Sequence, residues 1–373
     1  MGGHSTSKYR NTRFELARWV TQDACKIKFN LGTSEVHGTV VGPYLPKHRL
    51  EIGGGKWEGD PDLKELLARR YGTKFENIAT ACGASEANYL VHYAFLRLNR
   101  PWGKGGRGTV LVERPIYSPL KGIGDILGAK VIDWERRFEN GFSLDLEALK
   151  SKVKGVDLIV LTNLHNPSGV AITPKEMRAA AEIAADAGAH ILCDEVFRDF
   201  APEATGPTFR AGDNCITTCS GSKFQGAGGI KVGWIVATED IIDKVNEVRE
   251  MTSCTCSRTD EVMMQKVLKD KKLAMKNRAL TMKNLALVAD FVERTAGVSW
   301  FRPPNGTVCF PRFKGLKDSK GFASYLLKKY HTLISPGFFF GSEGHMRFGL
   351  GMGPKVVDKG LELVSKGWKE FRK

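Results

Sequence analysis

Short apolar runs rich in β-branched residues recur through the middle of the chain. TVLVE (109–113), KVID (130–133), DLIVLT (157–162), HILCD (190–194), CITTC (215–219) and KVGWIVA (231–237) are too short for typical helices and predict strands. Helical patterns lie between them. Residues 85–98 place Ala87, Leu90, Val91, Ala94 and Leu98 at helical spacing. Residues 174–187 have Thr173 as N-cap, Pro174 in the first turn, Glu176 completing a capping box and Gly188 just past the end. Strand–helix alternation of this kind predicts an α/β fold, a three-layer αβα domain with a mostly parallel sheet covered on both faces. Ligands of such sheets sit at the carboxyl ends of strands and at helix N-termini.

From about residue 239 the pattern changes. Helical segments run to about 294, a sheet-like region covers 298–313, and an apolar group at 333–341 precedes a strand-like 346–350. A helical pattern at 356–371 ends the chain. The expected organisation is an N-terminal arm (1–45) packing on either lobe, a large domain (46–240) and a small C-terminal α+β domain (241–373). No internal repeat or low-complexity segment interrupts it.

Hydrophobic residues make up 42% of the 373, enough for a sizeable core. No apolar run reaches bilayer-spanning length, and residues 1–18 lack the apolar stretch of a secretory signal, so no membrane and a cytoplasmic location are expected. Met1-Gly2 followed by Thr6 fits a myristoylation pattern short enough to arise by chance. The net charge of +15 favours anionic ligands. The basic residues are scattered without interleaved aromatics, which argues against a specific nucleic-acid partner. Their densest stretch, 266–283, reads as an exposed helix. Several of the eight cysteines sit in apolar, strand-like runs and read as buried free thiols. Cys254-Thr-Cys256 lacks the spacing and partner ligands of a zinc site, so no metal is expected.

Four segments bear chemistry. Ser220-Gly-Ser222-Lys223 follows the strand CITTC, and the next stretch contains Gly226, Gly228, Gly229 and Gly233, which lets backbone turn sharply and approach a ligand. A lysine held there can be desolvated, which lowers its pKa and makes it a Schiff-base amine. Asp194 ends HILCD; it is open to capping a helix, binding a metal or pairing with a protonated ring nitrogen. Gly83-Ala84-Ser85 opens a helix whose free N–H groups suit a phosphate, although a simple N-cap is the commoner role for Ser85. Asn166-Pro167-Ser168-Gly169 is a turn signal whose Asn can also donate to a phenolic oxygen.

Each signal is weak alone. In combination, ACGASEA, ERPIYSP, LHNPSG, CDEVFRDF, SGSKFQGAGGIKVGW and MRFGLG, spread from about residue 51 to 347, resemble the class I/II aminotransferases, fold-type I enzymes that use pyridoxal 5′-phosphate (PLP). The resemblance implies a PLP-dependent transferase-like large domain. It implies that Lys223 holds the cofactor as a Schiff base and shuttles a proton between the substrate α-carbon and cofactor C4′. Asp194 would pair with the pyridine nitrogen, Asn166 would hydrogen-bond O3′ beside the substrate, and Tyr117 would stack on the ring. Ala84 and Ser85, with Ser220, would hold the phosphate. Arg347 would clamp the substrate carboxylate, and Gly32 would approach it through its backbone. A homodimer with sites at the subunit interface is also implied.

Three departures from the family pattern stand out. Phe197 replaces the usual Tyr three residues after the Asp, so the Schiff-base nitrogen is expected to hold its proton more tightly. Lys231 replaces the usual Arg eight residues after the lysine; an ammonium neutralises phosphate without forming a fork, so weaker PLP retention is expected. No Tyr aligns at the glycines 53–55, where the family often supplies one to the neighbouring subunit; Trp57 is the nearest bulky residue. The expected function is amino-group transfer between an α-amino acid and a 2-oxo acid by a ping-pong route. The alternatives are a PLP lyase of the C–S type, or other α-carbon chemistry on the same fold, and a non-catalytic regulator. Arg302, Arg312, His37 and Trp57 are open to lining the pocket or to packing.

Overall fold

The fold is described from a computed structural model, which covers residues 14–21, 26–46, 50, 59–98 and 107–372. Met1-Gly2, Cys25, the glycines 53–55 and Trp57 lie outside the described residues. The chain begins with α1 (Glu15–Thr21), β1 (Phe29–Leu31), α2 (Pro61–Tyr71), β2 (Ile78–Ala81) and α3 (Ala84–Leu96). The alternating stretch follows as β3 (Thr109–Arg114), α4 (Ser118–Ile126), β4 (Lys130–Glu135), α5 (Leu146–Lys152), β5 (Leu158–Thr162), α6 (Pro174–Asp186), β6 (His190–Asp194), β7 (Cys215–Ser220) and β8 (Gly233–Val236).

These strands form one seven-stranded sheet in the order β2-β8-β7-β6-β5-β3-β4. All neighbours are parallel except β8, which runs against both β2 and β7. Side-chain alternation divides the core into two layers. Val110, Val112, Leu158 and Val160 face α3 and α4, whereas Leu111, Ile159 and Leu161 face α5 and α6. Each such side chain contributes about 1.5–3 kcal/mol on burial. The Thr173–Glu176 capping box forms as the sequence predicts, starting α6 at Pro174. β2 was not among the predicted strands.

Beyond the sheet come α7 (Glu239–Glu250), α8 (Arg258–Lys269), α9 (Lys271–Arg294), β9 (Val298–Ser299), β10 (Val308–Cys309), β11 (Arg312–Phe313), α10 (Ser319–Tyr330), β12 (Thr332–Pro336), β13 (Met346–Gly349) and α11 (Pro354–Phe371). The pattern change at 239 marks a change of secondary structure, while packing on the large sheet continues: Ile241 and Val245 of α7 join its core, and Met264 and Val267 of α8 pack with Leu63 and Leu67 of α2. The basic stretch 266–283 is not one exposed helix. Asp270 interrupts it, its carboxylate accepting from Leu273 N–H to cap α9, and Asn277 and Thr281 of α9 are buried. A four-stranded sheet, β1-β12-β13-β10, lies under α10 and α11, and its edge strand β1 comes from the N-terminal arm, parallel to β12. Among the described residues no helix is long and apolar enough to cross a membrane, and no cluster of His, Cys, Asp or Glu is placed to hold a metal. The seven described cysteines are free thiols.

Sheet register gathers the candidate residues at one end. Thr162 pairs with Asp194, Asp194 with Thr218, and Ser220 with Gly233, while Gly233 also pairs with Ala81 of β2. The Gly83-Ala84 turn therefore lies against β8. A Cβ at Gly233 would sit 2.4 Å from the Gly83 carbonyl carbon and 2.7 Å from the Ala84 nitrogen, both backbone atoms that cannot yield cheaply. Gly233→Ala is expected to lower the unfolding free energy by about 1–3 kcal/mol through overpacking, read from the urea midpoint.

Candidate active site

A cavity of about 650 Å³ opens at the carboxyl ends of β5, β6 and β7 and at the start of α3. Asp194 is buried at its floor. Asn88 Nδ2 donates to Asp194 Oδ2 at 2.8 Å and Val196 N–H donates to Oδ1 at 3.1 Å. Asn88 is fixed in turn by Thr218 Oγ1, which donates to its Oδ1 at 2.6 Å. Burial pushes the Asp194 carboxyl up, opposed by the Asn88 and Val196 hydrogen bonds and the Lys223 charge.

Lys223 follows β7 in the loop that returns the chain into antiparallel β8. Its side chain is 29% exposed rather than stripped of water, and Nζ lies 3.3 Å from Glu35 Oε2. The reason is the N-terminal arm: residues 34–36 cross the mouth of the loop, and Val36 N–H donates to the Lys223 carbonyl. Of the nearby glycines, Gly226 makes room for the Val36 carbonyl and Gly233 for the Gly83-Ala84 turn; Gly228 lines the cavity. The dense glycines thus serve backbone packing as well as access.

Ala84, Ser85, Ser220, Ser222 and Lys231 line one side of the cavity. Gly83, at φ 88°, is the N-cap of α3, so Ser85 stands within the first turn instead of capping it. Ser220 Oγ and Ser222 Oγ are 2.8 Å apart, and exposed Lys231 reaches the cavity from the far side of the loop. Tyr117 and Phe197 supply apolar walls. Phe197 is buried against Val36, Phe200 and Phe224.

Arg347, on β13, is buried beside Asn166. Nη1 donates to Asn166 Oδ1 (3.3 Å), and Nη2 to the Gly32 carbonyl (2.8 Å) and Ser335 Oγ (3.4 Å). The Gly32 N–H is turned away to Asn30 Oδ1. No carboxylate lies within ion-pair distance among the described residues, and Nε has no hydrogen-bond partner. Burial pushes the guanidinium down to about 10, opposed by Tyr117 and Glu35. Arg312 lies elsewhere, paired with Glu139, and none of Arg302, His37, Gly32 and Arg347 lines the cavity itself; Arg347 stands next to it through its contact with the lining residue Asn166.

Below Asn166 is a wholly buried ion pair. Arg136 Nη1 donates to Glu113 Oε2 at 2.7 Å, and Glu113 Oε1 accepts from Thr162 N–H and Oγ1. Thr162 Oγ1 in turn accepts from the Asn166 N–H. Sequence reading named Ser222 and Thr162 without giving them a role, and missed Asn88 and Glu35. Asn88 stood three residues after Ser85 on the same helical face, a signal that could have found it.

The family model for aminotransferase class I and II matches residues 49–364. Capreomycidine synthase of Streptomyces vinaceus is 27% identical over 368 residues, covering 94% of this chain and 92% of that protein. An aspartate aminotransferase of Pyrococcus horikoshii is 24% identical over 326 residues, covering 83% and 81%. The crystal structure of a PLP-dependent aminotransferase from Streptococcus suis superposes with a TM-score of 0.87 at 26% identity, covering 97% of this chain and 98% of that one.

Proposed function

Because the chain belongs to the class I and II aminotransferase family, whose members are PLP-dependent, we propose that it moves an amino group between an α-amino acid and a 2-oxo acid, as a cytoplasmic homodimer. Arg347 carries the assignment: a buried guanidinium with only neutral partners and an unbonded Nε matches a carboxylate common to both substrates.

The donor set fits PLP. Asp194 offers a buried, acceptor-only carboxylate for a protonated ring nitrogen, Lys223 an amine, and the start of α3 with Ser220, Ser222 and Lys231 a cradle for a dianion. When bound, the cofactor would supply an aldehyde carbon for amines and a ring that takes up the electron pair left at the substrate α-carbon.

The remaining work falls to the chain. Asp194, held by Asn88 and Val196 N–H, keeps the ring nitrogen protonated. Asn166 orients both Arg347 and the phenolic oxygen. Tyr117 and Phe197, which line the cavity, would give the ring apolar surroundings. Arg347 anchors the substrate carboxylate, so the α-hydrogen is presented to Lys223. Lys223 Nζ would serve as the base that takes and holds the proton from the substrate α-carbon.

Arg347→Gln is expected to raise KM for both amino acid and oxo acid about 10–100-fold, since a hydrogen bond to a charged group contributes about 1.5–3 kcal/mol. Steady-state kinetics check it; an unchanged KM removes Arg347 from carboxylate binding.

A second reading is elimination, or another reaction at the α-carbon. The similarity to capreomycidine synthase across 94% of the chain favours it, and it uses the same Lys223 and Asp194. Visible spectroscopy separates the two. The PLP-loaded protein is expected to be yellow, to bleach when amino acids are added without an oxo acid, and to recover with 2-oxoglutarate or pyruvate. Return of colour with release of ammonia supports the second reading instead.

A further inference from the structure

Glu35 has no part in the amino-group transfer described so far, yet it faces the same cavity. Among the described lining residues the acids are Asp194 and Glu35. Asp194 has both oxygens committed, to Asn88 and to the Val196 N–H. Glu35 is 34% exposed, 3.3 Å from Lys223 Nζ and 3.9 Å from His37 Nε2.

Its position is built into the backbone. Thr307 Oγ1 donates to the Ser34 carbonyl at 2.8 Å, Val36 N–H donates to the Lys223 carbonyl at 3.2 Å, and His37 N–H donates to the Gly351 carbonyl at 3.2 Å. Gly351 packs so tightly that a Cβ there would lie 1.8 Å from the Glu35 carbonyl oxygen. The arm is thus clamped between the Lys223 loop and the stretch after β13, and the carboxylate is fixed at the cavity mouth.

A carboxylate at a cavity mouth that bound ligands would close off from water gains from a partner of opposite charge. In the chain alone that partner is Lys223. Under the function proposed above, on which this inference rests, Lys223 Nζ must stand as a neutral amine to take the α-proton once substrate is bound, and in that state it offers Glu35 no ammonium. Arg347 is tied to Gly32, Ser335 and Asn166 and is reserved for the substrate carboxylate. His37 Nε2 already meets Thr33 Oγ1 at 3.0 Å. The substrate is then the source of the missing charge. We propose that Glu35 is a specificity-determining residue that selects an α-amino acid whose side chain ends in a cation, an ammonium or a guanidinium, with Arg347 and Glu35 reading its two charged ends.

Analogues without an α-hydrogen report binding apart from turnover. By titration calorimetry the PLP-loaded protein is expected to bind α-methylornithine at least about tenfold more tightly than α-methylnorvaline, the weight of one charge-assisted hydrogen bond. Glu35→Gln should bring that ratio close to one. Glu35→Asp should keep part of it, and Glu35→Arg should shift preference towards α-methylglutamate. Equal binding of the first two analogues by the unsubstituted protein overturns the inference, and so does a ratio that survives in Glu35→Gln. A Glu35→Gln protein that loses affinity for both equally also overturns it, reducing Glu35 to a positioning partner of Lys223. Binding of neither analogue while the visible band shows PLP in place sinks the amino-acid reading itself, a failure distinct from the others.

Discussion

Lys223→Ala is expected to lower turnover of amino acids at least about 10⁴-fold, because in the proposed function it removes both the amine that holds the cofactor and the group that moves the α-proton; proton transfer by a positioned side chain alone contributes about 10²–10⁴. The loop gives no easy substitute. Lys231 also lines the cavity, with its backbone N–H on Asp260 at 3.3 Å, and in the proposed function it serves the phosphate instead. Borohydride reduction of the yellow protein followed by peptide mapping should mark Lys223. A Lys223→Ala protein that keeps its colour and its rate would refute the assignment of this amine and the chemistry built on it.

The second large effect concerns stability. Arg136→Met is expected to cost about 3–5 kcal/mol, the usual consequence of leaving one member of a buried ion pair without its partner. Arg136 and Glu113 side chains are both fully buried, and Glu113 also receives two hydrogen bonds from Thr162. Burial already pushes the Glu113 carboxyl up, and the Arg136 charge is the strongest influence holding it down. Without Arg136 its folded value rises further above its unfolded one. A carboxyl shifted this way stabilises below its unfolded value and loses that contribution as pH rises through the folded value. The deficit of Arg136→Met should therefore grow between about pH 5 and about pH 8. Urea unfolding at the two pH values checks this, and Glu113→Gln combined with Arg136→Met should recover much of the loss. A pH-independent deficit would mean that Glu113 does not titrate in the fold.

The parts of the fold that were legible in the sequence are those set by local patterns. β5 and β7 are continuous buried runs, and the Thr173–Glu176 box fixes the start of α6. Asp194, Asn166 and Lys223 follow strands recognisable from β-branched residues, so their convergence follows from parallel pairing. Elements that depend on neighbours were harder. β2 is IATA, four residues with two alanines, and it is a strand because β8 pairs with it. In 266–283 the charge density masked Asp270, whose short side chain stops one helix and caps the next. Glu35 carried no local signal, since it reaches the cavity through long-range contacts of the arm: the pairing of Phe29–Leu31 with residues 332–334 and the hydrogen bonds of residues 34, 36 and 37 to Thr307, Lys223 and Gly351. Those contacts bring a carboxylate to Lys223, which explains why the lysine is ion-paired where the sequence suggested a desolvated amine.

The clasp between the arm and β12 also has a consequence for biosynthesis. Ser335 Oγ donates to the Gly32 carbonyl across 303 residues of chain. At ribosomal rates of about 5–20 residues per second, β1 emerges roughly 15–60 s before the strand it pairs with. Within that interval the strands of the seven-stranded sheet are completed at Val236, and the arm can already meet the Lys223 loop, but Gly32 still lacks Ser335 and Arg347. The pocket is therefore finished late, and a nascent chain stalled before β12 would carry Lys223 and Glu35 without Arg347 and with the arm lacking its clasp on β12.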